Sequence, residues 1–261
     1  MNISAFDDEL FNYTYVFNHE IVENPDPVQQ KWIRIIFITL YAIIFILGFG
    51  GNLFILIAII VKNALRTTFN IYLANMAISN MILSIIMLFT PIYLFQESWI
   101  FGRALCHMVP MLGEICEYVP LITCAAIAMQ ETFMKNTMKK SILVIMSCII
   151  VWILAIGVSL PIGIHKELSD VGNMYSEEDS RMICYEHWPN TIYRQIYNLA
   201  LPIIQVVTPT LIVLIINLTK SSARTENNWK MILCLTISFV ICISPINLYV
   251  FVLDFSNNII S

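Results

Sequence analysis

Long apolar stretches alternate with short polar segments along most of this chain. Each stretch is longer than the roughly 20 residues that an α-helix needs to cross the hydrocarbon layer of a bilayer. The unbroken apolar character argues against transmembrane β-strands, which are about ten residues long and alternate apolar with polar positions. The pattern therefore predicts six transmembrane helices, at residues 33–61, 69–95, 104–133, 141–164, 193–218 and 229–253.

Prolines occur inside or beside five of these stretches. Bilayer helices tolerate proline because neighbouring groups can satisfy the carbonyls that it frees, but the helix kinks there. We expect kinks at Pro91, Pro110, Pro120, Pro202, Pro209 and Pro245.

Composition supports a membrane protein. The chain is 58% hydrophobic and 12% charged, with a mean hydropathy of +0.76, and its charged fraction is about half that of soluble domains. No basic block suggests nucleic acid, and no motif suggests a catalytic triad, a phosphate loop, a metal site or a cofactor. We predict an all-α transmembrane bundle at 33–254, flanked by tails at 1–32 and 255–261, and no enzymatic activity.

The distribution of charge predicts the orientation in the membrane. If the N-terminus is outside, the inner segments hold eight basic and two acidic residues, whereas the outer ones hold six basic and fourteen acidic. Lys and Arg are favoured on the cytoplasmic side. The prediction is a multi-pass plasma-membrane protein with an extracellular N-terminus. Glycosylation acceptors at Asn2 and Asn12 fit that orientation.

Two of the seven cysteines lie at the end of an apolar stretch or outside the stretches. Cys106, at the outer end of the third stretch, and Cys184, in the loop before the fifth, both face an oxidising compartment in this orientation and could form one disulfide. The alternative is two unrelated thiols. A bridge would tie the third helix to the loop that covers the bundle.

Several short motifs follow one another along the chain after residue 33. They are Gly51-Asn52, the segment 70–77, Trp99-Ile100-Phe101-Gly102 with Cys106, Trp152, Cys184, Pro209 and the segment 239–245. In order and spacing these motifs resemble those of rhodopsin-like G-protein-coupled receptors of the peptide-binding kind, over nearly the whole chain after residue 33. Within that family the chain is most similar to neuropeptide receptors related to ecdysis-triggering-hormone and thyrotropin-releasing-hormone receptors. The resemblance implies an extracellular peptide ligand and a heterotrimeric G protein as partners.

Three departures from that family bear on function. An arginine normally lies in the motif at the inner end of the third helix, where this chain has Gln130, Glu131 and Thr132. Asn80 replaces the aspartate that binds sodium, and a neutral amide cannot hold a cation electrostatically. The fold expected is six of the family's seven helices, since a seventh stretch with an Asn-Pro-x-x-Tyr motif is not found.

Two acidic residues lie within the outer half of the third stretch. Glu114 and Glu117 are three residues apart and so share a helix face, and Tyr118 follows directly. A charge at this depth is costly unless it faces water or a partner. We predict an acidic, aromatic pocket for a basic group of a peptide. The alternatives are a structural pair with Arg or Lys, or a helix displaced toward water.

Other polar and proline residues are assigned to the bundle itself. Asn52, Asn75 and Asn80 are predicted to form hydrogen bonds between helices. Trp152 is predicted to pack in the core, and Pro209 and Pro245 to act as hinges. The leading function is a cell-surface receptor for an extracellular neuropeptide. The alternatives are a truncated, non-signalling or dominant-interfering receptor form and, less favoured, a small transporter or channel.

Overall fold

The computed structural model describes residues 30–133, 140–170, 181–219 and 226–256. Within them, six helical spans are long and apolar enough to cross a membrane. All six predicted spans are confirmed, and each end differs from its predicted position by at most three residues. The largest differences are in the sixth span, which begins at 226 instead of 229 and ends at 256 instead of 253. In chain order the helices are Lys31–Val61; Thr68–Ile86 with Phe89–Gln96; Gly102–Phe133; Lys140–Ile164; Thr191–Pro202 with Thr208–Thr219; and Glu226–Ser256.

Two of the predicted kink sites interrupt their helices. The second span breaks between Ile86 and Phe89, because the ring of Pro91 clashes with the carbonyl four residues earlier and its nitrogen cannot bond to it. The fifth span contains a π-helical turn at Ile203–Val207, which lies between the predicted kink sites Pro202 and Pro209. The third and sixth helices instead continue through their prolines, at Pro110, Pro120 and Pro245.

The third span is the centre of the bundle. It contacts the second, fourth, fifth and sixth spans, and most of its residues are buried, whereas the first span buries none of its residues. Small and β-branched side chains such as Cys116, Val119 and Ala128 are fully buried on it. Small residues let neighbouring helices approach closely, which is how helices associate in a membrane.

Buried amides connect the inner spans. Asn75 donates to Thr123 Oγ1 at 3.0 Å and accepts from the indole of Trp152 at 2.8 Å, so one side chain joins the second, third and fourth spans. Asn80 donates to Asn52 at 3.3 Å, between the second and first spans. Trp152 therefore contributes a hydrogen bond as well as packing.

The loop between the fourth and fifth spans forms a β-hairpin that the sequence did not indicate. Strand β1, Lys166–Asp170, pairs antiparallel with strand β2, Met182–Glu186. The Trp99 amide donates to the Met182 carbonyl at 2.7 Å, so the segment before the third span also binds β2.

The predicted disulfide is confirmed. Cys106 and Cys184 are bonded, with their Cα atoms 5.7 Å apart. The bridge joins the N-terminal end of the third span to the middle of β2, so the hairpin is fixed across that end of the bundle. The acceptors Asn2 and Asn12 lie outside the described residues.

Candidate functional site

Two adjoining cavities lie beneath the hairpin. The larger, about 430 Å³, lies between the second and third spans and is mostly apolar and aromatic, with Leu83, Met87, Tyr93 and Trp99 among its lining residues. The smaller, about 250 Å³, lies between the third, fifth and sixth spans and is more polar. Together they form a recess of the size that small molecules and peptide side chains occupy.

Glu114 and Glu117 line both cavities. Their spacing of three residues on the third helix puts both carboxyl groups on the face that separates the two spaces. In the described part of the chain neither forms an ion pair, since the salt bridges there join Lys166 to Glu186 and Arg181 to Glu97. Among the described residues, therefore, neither glutamate forms the alternative arrangement, a structural ion pair with Arg or Lys.

Tyr118, predicted to belong to the same pocket, lies behind the wall of the cavities. Its side chain is 1% exposed and is absent from the lining of both cavities. Tyr118 follows Glu114 by four residues, which is a rotation of about 40° around a helix, so it lies on the same side of the helix as Glu114, but its ring is enclosed in the core. Its hydroxyl lies beside the Glu114 carboxyl but makes no hydrogen bond of standard geometry.

An ion pair on the hairpin covers the recess. Lys166 and Glu186 are register partners on β1 and β2, and their Nζ and Oε1 atoms are 3.1 Å apart. The indole of Trp188 donates to the other carboxylate oxygen of Glu186, also at 3.1 Å. Burial alone would raise the pKa of Glu186, but Lys166 and these hydrogen bonds hold that pKa below its ordinary value.

Aromatic and polar contacts fix the hairpin to the fourth and fifth spans. The Trp188 ring packs against His165 and Tyr197, with centroid distances of 4.1 and 5.2 Å. The Tyr197 hydroxyl donates to the Val158 carbonyl at 2.7 Å. His107 Nδ1 lies 2.8 Å from the Gly163 carbonyl, which links the third span to the fourth. The recess is therefore held in shape from three sides.

Sequence reasoning missed most of the polar lining of the smaller cavity. Besides the two glutamates, that cavity is lined by Glu186, Arg194, Asn198, Gln205 and Asn247. The one available signal is a polar residue inside an apolar stretch. Gln205 and Asn247 share that feature with Glu114 and Glu117. The hairpin residue Glu186 carried no such signal.

The remaining predicted residues lie away from the recess. At the inner end of the third span Gln130 is buried, and the Thr132 hydroxyl donates to the Ala128 carbonyl of its own helix at 2.8 Å. The side chain of Glu131 lies outside what the structure describes. Pro209 is buried in the fifth span, and Pro245 is exposed on the sixth. Among the described residues no group of three or more His, Cys, Asp or Glu could hold a metal ion.

Comparison with known proteins identifies the family. Residues 51–260 match the family described as 7 transmembrane receptor (rhodopsin family). The chain is 25% identical to neuropeptide Y receptor type 5 of Rattus norvegicus in an alignment of 218 residues, which covers 77% of this chain and 49% of that receptor. It is 28% identical to the neuropeptide receptor npr-1 of Caenorhabditis elegans over 191 residues, 71% of this chain and 41% of that receptor.

The chain thus spans about half the length of these relatives, or somewhat less. Receptors of this family are not enzymes, which agrees with the sequence-based expectation, and the neuropeptide receptors among the relatives agree with the peptide-receptor resemblance. The particular resemblance to ecdysis-triggering-hormone and thyrotropin-releasing-hormone receptors stays a prediction. With its apolar helical spans, its disulfide-linked hairpin and a family match over most of its length, this chain belongs to the rhodopsin family of seven-transmembrane receptors.

Proposed function

We propose that this chain is a plasma-membrane receptor, with its N-terminus outside the cell, that binds an extracellular peptide through a basic group. The observation that carries the proposal is the position of Glu114 and Glu117, which line both cavities without an ion-pair partner among the described residues. Buried carboxylates are stable as anions only when a cation or donor compensates them. A basic group of the ligand supplies that compensation.

The likeness to neuropeptide receptors supports a peptide as the source of the basic group. The apolar and aromatic larger cavity would accept side chains next to it, as mostly apolar binding sites do. The hairpin, which the disulfide and the Lys166–Glu186 ion pair hold in place, covers the larger cavity on its extracellular side. Ligand contacts that favour one arrangement of the proline-containing fifth and sixth spans would shift the population of a G-protein-binding state.

The test is peptide binding to cells that display the receptor. A pool of basic peptides is screened against surface-stained cells, and affinity is then measured for wild type and for the Glu114→Gln, Glu117→Gln double variant. Truncating one partner of a buried charge pair costs about 2 kcal/mol or more, so we expect a loss of at least about thirtyfold.

The matched control is Glu167→Gln, because Glu167 lies on β1 but lines neither cavity. It should bind as wild type does. Equal affinity of the double variant and the wild type, at equal surface staining, would refute the acidic site.

A second candidate is a receptor form that binds peptide without activating a G protein. The Gln130-Glu131-Thr132 sequence favours it, because it has an acidic residue where the family resemblance implies an arginine that contacts the G protein. A second-messenger assay on the same cells separates the two candidates. Peptide-dependent signalling supports the first, and binding without signalling supports the second.

A further inference from the structure

The smaller cavity contains amide donors that have no hydrogen-bond partner among the residues that the structure describes. Gln205 is 2% exposed, lines this cavity and has no hydrogen-bond partner for its Nε2 atom. The Nδ2 atom of Asn247, on the sixth span, is also buried and unpartnered and lines the same space. Buried N–H groups without acceptors are rare and costly in native proteins, so these donors point to an acceptor that a ligand supplies.

The ionisable side chains around the recess carry a net formal charge of minus one, which one bound cation would neutralise. The carboxylates are those of Glu114, Glu117 and Glu186, and the basic groups are those of Lys166 and Arg194. Lys166 is paired with Glu186, and Arg194 also acts electrostatically on Glu186. Three carboxylates against two basic groups leave a formal excess of one negative charge next to Glu114 and Glu117.

We propose that the smaller cavity binds the free amino terminus of a peptide, with the α-ammonium on Glu114 and Glu117 and the first carbonyl oxygen on the amides of Gln205 and Asn247. This rests on the proposed function, which brings a peptide into the recess. It adds which part of the peptide enters and in which direction.

The terminus satisfies requirements that other peptide groups meet only in part. An arginine or lysine side chain supplies a cation but no acceptor near it, because both are donors only. A carboxamide supplies an acceptor but leaves the two carboxylates uncompensated. In a peptide terminus one Cα separates the ammonium from the carbonyl, so both reach opposite walls of a cavity of about 250 Å³.

The apolar lining predicts the first side chain of the peptide. Ile162, Leu201, Ile246 and Val250 complete the wall of the smaller cavity. Beside an ammonium and a carbonyl, such a wall favours a medium-sized aliphatic side chain over a charged one. The rest of the peptide would then extend toward the larger cavity.

The experiment measures thermal unfolding of the purified 261-residue receptor in detergent at pH 6.5, where an α-amino group is largely protonated. The probes are leucinamide, which has the ammonium and the carbonyl; 3-methylbutylamine, which lacks the carbonyl; N-acetyl-leucinamide, which lacks the cation; and Nα-acetyl-argininamide, which offers only a side-chain cation. Leucinamide at about five times its Kd should raise Tm by about 2 to 4 °C. At the same concentration 3-methylbutylamine should raise Tm less, and the two acetylated probes should not raise it.

Three variants assign the contacts. Gln205→Met should lower the leucinamide shift to that of 3-methylbutylamine, and its own Tm without probe should not fall, since a buried unpartnered amide is replaced by an apolar side chain of similar size. Glu117→Gln should abolish the shifts of both amines. Glu167→Gln, away from the cavities, should leave them unchanged.

Two results would overturn the proposal. Equal shifts from leucinamide and 3-methylbutylamine would show that no carbonyl is recognised. A shift from Nα-acetyl-argininamide without one from leucinamide would show that a side chain enters instead, which leaves the acidic site of the proposed function intact. Only unchanged peptide affinity in the Glu114→Gln, Glu117→Gln double variant counts against that function itself.

Discussion

At the scale of single residues, close packing between the third and fourth spans shapes the recess. Gly163 lies where the fourth span meets Met111 of the third, and a Cβ added there would lie 2.8 Å from Met111 Sδ and 3.2 Å from its Cβ. The Gly163 carbonyl also contacts His107. The absence of a side chain at this position therefore allows both the helix approach and the polar link above it.

Gly163→Ala should lower the stability of the receptor. The added methyl group has to displace Met111, and overpacking of this kind costs about 1 to 3 kcal/mol. Thermal unfolding in detergent measures the effect. Gly157→Ala is the matched control in the same helix, because nothing lies within 4 Å of a Cβ there. Equal Tm values for the two variants would show that the contact at Gly163 is unimportant.

Asn75→Leu should also destabilise the bundle. Asn75 is buried and bonds to both Thr123 and Trp152, so its loss removes two hydrogen bonds. The Trp152 indole N–H is then left without an acceptor, whereas the Thr123 hydroxyl keeps its bond to the Val119 carbonyl. Hydrogen bonds between membrane helices average about 0.6 kcal/mol and reach about 1.7 kcal/mol, so two such bonds predict a loss of about 1 to 3 kcal/mol. Ser238→Ala removes a bond within one helix, to the Cys234 carbonyl, and should change Tm less. A Tm for Asn75→Leu equal to that of Ser238→Ala would contradict the structural role of the amide.

At the scale of elements, the hairpin is the part whose stability depends on pH. Burial would raise the pKa of Glu186, but the charges of Lys166 and Arg194 and the hydrogen bonds from Lys166 and Trp188 outweigh it, so that pKa is lowered. A carboxyl with a lowered folded-state pKa contributes stability above its unfolded pKa, and that contribution is lost as the pH falls through the folded value.

The Tm of the wild type should therefore fall as the pH drops below 4.5, the ordinary value of this carboxyl, and Glu186→Gln should fall less over the same range. Other carboxyl groups titrate in both proteins, so the difference between the two curves isolates Glu186. Glu97→Gln, which removes the more exposed pair with Arg181, serves as the control. Parallel curves for wild type and Glu186→Gln would mean that the ion pair adds no stability.

At the scale of the whole molecule, the proposed extracellular site depends on the orientation of the chain in the membrane. The inner segments of the proposed orientation hold eight Lys and Arg residues, and Lys and Arg near the spans direct a segment to the cytoplasm. An epitope at the N-terminus should therefore be stained on intact cells, and an epitope inserted between residues 136 and 137 only after permeabilisation. An epitope between residues 175 and 176, which lie in the sequence between β1 and β2, controls for the effect of inserting an epitope and should be stained on intact cells. The reverse pattern would invert the orientation and remove the extracellular site.

The sequence alone determined the membrane class, the six spans, the cysteine pair as a possible bridge and the two acidic residues on one helix face. These depend on local properties: the length of an apolar stretch, the spacing of side chains along a helix and the side of the membrane on which a residue lies. They can be read without knowledge of how the helices pack.

Only the tertiary structure decided which polar groups share a cavity. Tyr118 lies beside Glu114 but is enclosed in the core and lines neither cavity, and Glu186 reaches the recess through a hairpin whose register no periodic pattern indicated. Gln205 lies in a π-helical turn that changes the helical phase of the fifth span, so its direction could not follow from a regular repeat. Such contacts join residues that are distant in the chain, and the rotation of each helix within the bundle sets them.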